Sequence, residues 1–140
     1  MGRTFSNGKY IYSVDMMFSY INNFKPSVGI IPITTFNLFE KGWGDYSPFD
    51  VLLKPTKYVK EFERIYAADL TRPIIINGEE LVDGMHRILK ALSQKKRFML
   101  CYNFDNKLMA HFVVGRVGEE KKVDKMEHWE FIDLFIKRFY

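Results

Sequence analysis

Apolar and polar positions fall along this chain in segments short enough to be read one at a time. From Ser13, a candidate N-cap, Val14, Met17, Phe18 and Ile21 recur at the spacing of one helical face, and Asn22-Asn23 with Pro26 close the segment. Gly29-Ile30-Ile31-Pro32-Ile33-Thr34-Thr35-Phe36 reads as an apolar strand whose proline predicts an edge or a bulge. Glu40 to Pro48 is rich in turn formers and predicts a shaped surface loop. After Pro55 a second helix is expected, with Tyr58, Val59, Phe62, Ile65 and Tyr66 on the core and Lys57, Lys60, Glu61, Glu63 and Arg64 in water.

The centre of the chain carries the sharpest signals. Arg72-Pro73-Ile74-Ile75-Ile76 predicts a short strand, Asn77-Gly78 a two-residue hairpin turn, and Glu80-Leu81-Val82 the return strand running into Asp83-Gly84. A helix is expected from Met85, with Ile88, Leu89, Ala91 and Leu92 on its apolar side. Arg97–Phe104 and Leu108–Val114 read as two further strands around a turn at Asp105-Asn106, and Val123–Tyr140 as a terminal helix buried along Phe131, Leu134, Phe135 and Phe139. The order α-β-α-β-β-α-β-β-α, without internal repeats, predicts an α+β fold. It is read as one compact domain over residues 1–140, a small mixed sheet flanked by helices.

Composition changes that picture little. A chain of 140 residues suits one domain, and 47% hydrophobic with 16% aromatic residues supplies a packed core. The single cysteine, Cys101, excludes an internal disulfide and multi-cysteine metal sites, which favours a reducing interior and a cytoplasmic location. No stretch approaches the ~18 apolar residues of a membrane span, and the N-terminus lacks the apolar centre of a signal peptide, so no membrane partner is expected. Met1-Gly2 with Ser6 fits the spacing of a myristoylation signal, a short pattern that recurs by chance. The net charge of +4 is dispersed apart from Lys95-Lys96-Arg97 and Lys121-Lys122, which admits an anionic partner but forms no nucleic-acid stripe.

The candidate chemistry lies at Asp83-Gly84-Met85-His86-Arg87. A strand ends and a helix begins within about two residues, and helix N-termini present unpaired N–H groups and partial positive charge. Gly84 admits torsions closed to other residues and lets an anion near the main chain. Arg87 and protonated His86 sit where the helix dipole disfavours cations, and Lys90 follows one turn on. A bound anion accounts for that cluster, with Arg87 gripping it through two parallel hydrogen bonds. The alternative is structural: Asp83 caps the helix and Arg87 pairs with a nearby carboxylate.

Leu70-Thr71-Arg72-Pro73-Ile74-Ile75-Ile76, followed by Glu80-Leu81-Val82-Asp83-Gly84-Met85-His86-Arg87-Ile88-Leu89-Lys90-Ala91-Leu92, resembles the ParB/sulfiredoxin superfamily. Its members pair a proline-and-aliphatic strand with a strand ending in a Gly-x-His-Arg or Gly-x-x-Arg box. Ile30-Ile31-Pro32-Ile33 is similar to the family's opening strand, Phe49-Asp50-Val51-Leu52 to its intervening region, and the likeness covers about residues 29–104. Met85 stands where sulfiredoxins need cysteine, and a thioether cannot carry their sulfur chemistry, so sulfiredoxin activity is not expected. The Gly-Glu-Arg-Arg box and helix-turn-helix of chromosome-partitioning ParB proteins are also missing. The Asp-Gly-x-His-Arg form is closest to the free-serine-kinase-like members. That resemblance implies Asp83 near metal or the reacting hydroxyl, with His86 and Arg87 on the nucleotide phosphates.

Other residues admit both a functional and a structural reading. Glu40 is a candidate base or a solvated acid, Trp43 a lid over the pocket or packing for its own loop, and Ser47 a substrate-loop residue. Lys54 is a candidate phosphate contact, and Asp69 a support for the helix-to-strand turn. Cys101 and His111 read as structural, and His128 as a half-solvated position on the last helix. The three dispersed histidines give no zinc spacing. Magnesium brought in with a nucleotide needs only one or two carboxylates, with Asp83 the candidate.

The expectation is thus a small ATP- or ADP-binding enzyme, a kinase-like phosphotransferase or nucleotide hydrolase acting on a small hydroxylated acceptor. In it Asp83, His86 and Glu40 are the catalytic candidates, and Gly84, Met85, His86, Arg87, Lys90 and Lys54 the phosphate-binding ones. The alternatives are a non-catalytic, nucleotide-gated binding module and a ParB-like nuclease acting on DNA.

Overall fold

A computed structural model describes residues 2–40 and 45–140. The elements, in order, are β1 (Thr4–Ser6), β2 (Tyr10–Ser13), α1 (Val14–Phe24), β3 (Gly29–Pro32), α2 (Pro48–Leu53), α3 (Val59–Ala67), β4 (Ile74–Asn77), β5 (Glu80–Asp83) and α4 (Met85–Ser93). They continue with β6 (Phe98–Asn103), α5 (Asn106–Met109), β7 (Val113–Arg116), α6 (Glu120–Asp124) and α7 (His128–Phe139). The class is α+β, as the element order predicts. The chain folds into two compact units, one made of the chain up to Pro26 with Phe104–Tyr140, the other of Ser27–Asn103.

The second unit, close in span to the stretch that carries the resemblance, holds the box. Its four-stranded mixed sheet has the order β3-β6-β4-β5. β3 runs antiparallel to β6 with Ile31 opposite Met99, β4 runs parallel to β6 with Ile74 opposite Cys101, and β4 and β5 form the expected hairpin. Gly78 takes φ +66 at its turn, a value that favours glycine. Ile31, Ile74, Ile76, Met99 and Cys101 bury one sheet face against Val51 of α2, Ile65 of α3 and Ile88, Leu89 and Ala91 of α4. At roughly 1.5–3 kcal/mol per fully buried large aliphatic, this layer is what fixes α4 on the sheet.

Several expectations for this unit need correction. The strand from Gly29 ends at Pro32, and Ile33–Thr35 form a 3-10 turn. The expected loop up to Pro48 ends in a helix: Ser47 caps α2 through the Asp50 N–H, Asp50 returns a bond to the Ser47 N–H, and Pro48 takes the first helical position. In α3, Ile65 is buried, but Val59 and Tyr66 are exposed, so the apolar face is narrower than the sequence spacing suggests.

The first unit contains a three-stranded sheet in the order β1-β2-β7, antiparallel throughout. Its opening hairpin is absent from the sequence reading, although Asn7-Gly8 is a turn signal: Asn7 Oδ1 accepts from the Lys9 and Tyr10 N–H groups, and Gly8 takes φ +91. Ser13 caps α1 as expected, its hydroxyl accepting from the Met16 N–H at 3.2 Å. The predicted strand Leu108–Val114 is wrong over most of its length. Asp105 caps α5 by accepting from the Leu108 N–H at 2.8 Å, a 3-10 turn follows over Ala110–Phe112, and only β7 extends. β7 then pairs with β2, so no hairpin joins it to β6. The terminal helix is broken into α6 and α7, the latter started by a Glu127–Glu130 capping box. Tyr20 packs edge-on to Phe104 and Phe112 and tilted against Phe139, which makes an aromatic centre for this unit. No helix among the described residues is long and apolar enough to cross a membrane.

Candidate functional site

The box forms where the sequence predicts: β5 ends at Asp83, Gly84 turns the chain, and α4 starts at Met85. The turn needs glycine for two reasons. Its φ is +124, and a Cβ there would stand 2.5 Å from Ile74 Cγ2 and 3.1 Å from Arg87 Nη2. On the side where a Cβ would stand, the space beside Gly84 is filled by the neighbouring strand and the arginine, so packing alone already calls for glycine here.

Arg87 is engaged inward. Nη2 donates to Asp83 Oδ2 at 2.7 Å, while Nη1 donates to the carbonyls of Pro73 at 2.6 Å and Arg72 at 3.2 Å. Both side chains are nearly enclosed, 13% exposed for Arg87 and 4% for Asp83. The pair ties the first turn of α4 to the entry of β4, and the planar fork of arginine suits a carboxylate on one branch and two carbonyls on the other. The structural alternative for Arg87 is thus realised, with Asp83 as the carboxylate, and the N-cap position of α4 itself is Gly84.

Lys90 is also taken up by the fold. Its Nζ donates to the Tyr66 and Ala68 carbonyls at 2.7 Å each, closing the C-terminus of α3, and lies 5.9 Å from the centre of the Tyr66 ring. Ser47, 5% exposed, is the α2 cap. Lys54 is exposed at the end of α2, Glu40 is exposed before residue 41, and among the described residues no hydrogen bond or ion pair joins either to the box. Trp43 lies outside the described residues. Met85 is half-buried and packs on the core beneath α4. Asp69 supports its turn as expected, accepting from the Thr71 hydroxyl at 2.6 Å and the Thr71 N–H at 2.9 Å. Those two bonds hold its carboxyl below the ordinary value.

His86 is the residue that faces outward with a partner. Its Nε2 lies 2.7 Å from Glu61 Oε2, with both side chains part-exposed, 30% and 24%. Glu61 sits in the first turn of α3, and the packing of α3 on α4 brings the two together across 25 residues of sequence. Helical spacing alone places Glu61 on the polar side of α3, in water; its second contact, Arg64 Nη1 at 3.7 Å, is the surface pair that such spacing does foretell. With Glu61 ionised, Nε2 carries the proton and Nδ1 becomes the acceptor of the neutral ring.

Around this pair the start of α4 has no acidic residue in its first turn and no side-chain cap. Its positive end is therefore uncompensated by an acid of its own first turn. The carboxylates present do not fit a resident magnesium ion: Asp83 is buried against a guanidinium, Glu61 is joined to His86, and no three His, Cys, Asp or Glu side chains gather as a ligand set among the described residues. Compared with known proteins, the chain matches no family model, no curated protein and no solved structure. The ParB/sulfiredoxin resemblance rests on the quoted residues alone.

Proposed function

We propose that the chain binds ATP or ADP with the phosphates at the start of α4, and that His86 takes the proton of the hydroxyl or water that attacks the terminal phosphorus as the bond to the rest of the nucleotide breaks. The reaction is then phosphoryl transfer to a small hydroxylated acceptor, or nucleotide hydrolysis. The observation that carries this reading is the 2.7 Å His86–Glu61 bond beside a helix N-terminus whose N-cap residue, Gly84, has no side chain to cap it. Backbone N–H groups there suit a phosphate, and a carboxylate that orients a histidine ring is a general acid–base arrangement.

In this reading Arg87 acts through position: fixed by Asp83 and two carbonyls, it sets the angle at which α4 leaves the sheet. Magnesium arrives on the nucleotide, which supplies its ligands together with water. Catalysis is then mostly placement and electrostatics, as phosphoryl transfer requires.

The test is turnover of magnesium ATP, with and without hydroxylated acceptors, in the native protein, His86→Gln and Glu61→Gln. Loss of proton transfer lowers kcat by about 10²–10⁴ in His86→Gln while affinity is kept. Affinity without turnover in the native protein assigns a nucleotide-gated binding module instead. DNA binding that collapses with salt, in place of nucleotide binding, assigns the nuclease reading.

A further inference from the structure

The last helix is apolar over about twice the arc that its own unit covers. At 100° per residue, Phe131, Phe135 and Phe139 fall together on its inner side, where Phe135 is buried and Phe139 packs on Phe112 with ring centres 5.6 Å apart. Next to that arc, Ile132, Ile136 and Trp129, with Tyr140 just past the helix end, form a second stripe, 58%, 53%, 61% and 77% exposed, in which the Tyr140 ring also touches Phe24 and the Trp129 indole donates to Glu127. A helix that needed only one buried face would carry polar residues there.

We propose that this stripe is the surface through which two copies of the chain associate, with the two α7 helices antiparallel. The area suits a dimer: taking ~200 Å² for a large side chain, the exposed parts of these four residues amount to roughly 500 Å² per copy. A standard interface buries about 800 Å² per partner, somewhat over half of it apolar, or roughly 450 Å². Residues 119–140 carry six acids and five bases, so the surroundings offer no net charge to attract an anionic lipid surface or nucleic acid.

The order of residues along the stripe is close to palindromic, and this selects a second copy over an unrelated protein. A two-fold axis perpendicular to both helices brings the same flank of each side by side and reverses its direction. With the axis level with residues 134–135, Trp129 lies across from Tyr140 of the second copy and Ile132 beside Ile136 of the second copy. The exposed pair on one flank, Asp133 and Lys137, then meets its opposite charges twice over, Asp133 against Lys137 of the second copy and the reverse. Moving the axis to the level of residue 133 or of residue 137 offsets the aromatic ends and sets Asp133 beside Asp133, or Lys137 beside Lys137, of the second copy.

Sedimentation equilibrium of the full chain, with circular dichroism to check folding, tests this. The native protein is expected to dimerise reversibly, and Ile136→Asp to weaken the association by more than about a hundredfold with an unchanged helical spectrum. Asp133→Lys and Lys137→Asp should each weaken it by roughly fivefold to twentyfold, two pairs being lost per dimer, and the double reversal should restore it. A native protein that stays monomeric at about 1 mM overturns the proposal. So does a dimer that Ile136→Asp leaves intact, and a double reversal no tighter than the singles overturns the antiparallel register. Binding of the monomer to anionic vesicles, with a blue shift of Trp129 emission, would give the face to a lipid surface and also refute self-association.

Discussion

Replacing Gly84 by alanine separates the two roles this glycine could serve. A Cβ at this position would sit 2.5 Å from Ile74 Cγ2 and 2.9 Å from Ile74 Cβ, inside any real contact distance, on a backbone with φ +124. Ile74 is fully buried between sheet and helices and cannot swing away without opening the core. Overpacking of this kind costs about 1–3 kcal/mol, and holding alanine at such a φ costs about 1–2 kcal/mol more. Gly84→Ala should therefore lose about 2–5 kcal/mol in urea unfolding followed by circular dichroism, and Tm should fall by roughly 5–20 °C. In the double variant with Ile74→Ala the steric part is relieved and the torsional part stays, so the two losses should fall short of additive by about 1–3 kcal/mol. A Gly84→Ala protein within 1 kcal/mol of native stability, or strictly additive losses, would refute the packing argument. An intact Tm with lost nucleotide affinity would show that the glycine exists for the ligand.

Arg87→Ala should destabilise by about 3–5 kcal/mol in the same unfolding assay, because it leaves the Asp83 carboxylate and two carbonyls without their donor, and Arg87→Lys should recover only part of that. An Arg87→Ala protein of native stability would mean the pair is not structural. Glu61→Gln should leave Tm nearly unchanged but lower turnover with the His86 ring no longer oriented; equal turnover in the two proteins would remove His86 from the chemistry. Burial pushes the Cys101 thiol up, so at pH 8 a thiol reagent should label it at least about a hundredfold more slowly in native protein than in urea, and rapid native labelling would contradict its place on the buried face of β6. Asp69, held below the ordinary value of 3.8 first by the Thr71 hydroxyl and then by the Thr71 N–H, stabilises the fold above that pH and loses the contribution as pH falls through its lowered folded value. Tm of Asp69→Asn should accordingly lie below native at pH 6 and converge with it under acid conditions; a gap independent of pH would rule out this linkage.

The parts of the fold that the sequence discloses are those governed by local chemistry. Ser13 as a cap and the Ile88-Leu89-Ala91-Leu92 face act within a few residues of themselves and hold in the structure, and the hairpin expected at Asn77-Gly78 forms one residue later, with Asn77 paired to Glu80 and the turn at Gly78-Glu79. Leu108 to Phe112 misleads because its apolar run fits a strand or a helix, and the Asp105 cap decides between them. β7 is fixed by pairing with β2, about a hundred residues away in sequence, which no local pattern reports. The site divides in the same way. The strand-glycine-helix turn is written in Asp83-Gly84, but Lys90 and Arg87 are cations whose partners are backbone carbonyls of distant segments, invisible until α3 and β4 are packed. The role of Glu61 is hidden for the same reason, since only the contact between α3 and α4 turns a surface acid into the partner of His86.

The central claim, that a nucleotide binds at the start of α4, is tested most directly by titrating the labelled protein with magnesium ADP and following its amide and histidine ring signals by NMR. The account predicts saturable shifts centred on Gly84 to Ile88 and on the ring of His86, with the amide shifts kept in His86→Gln. No shift up to about 5 mM nucleotide, or shifts confined to residues away from this turn, would contradict it.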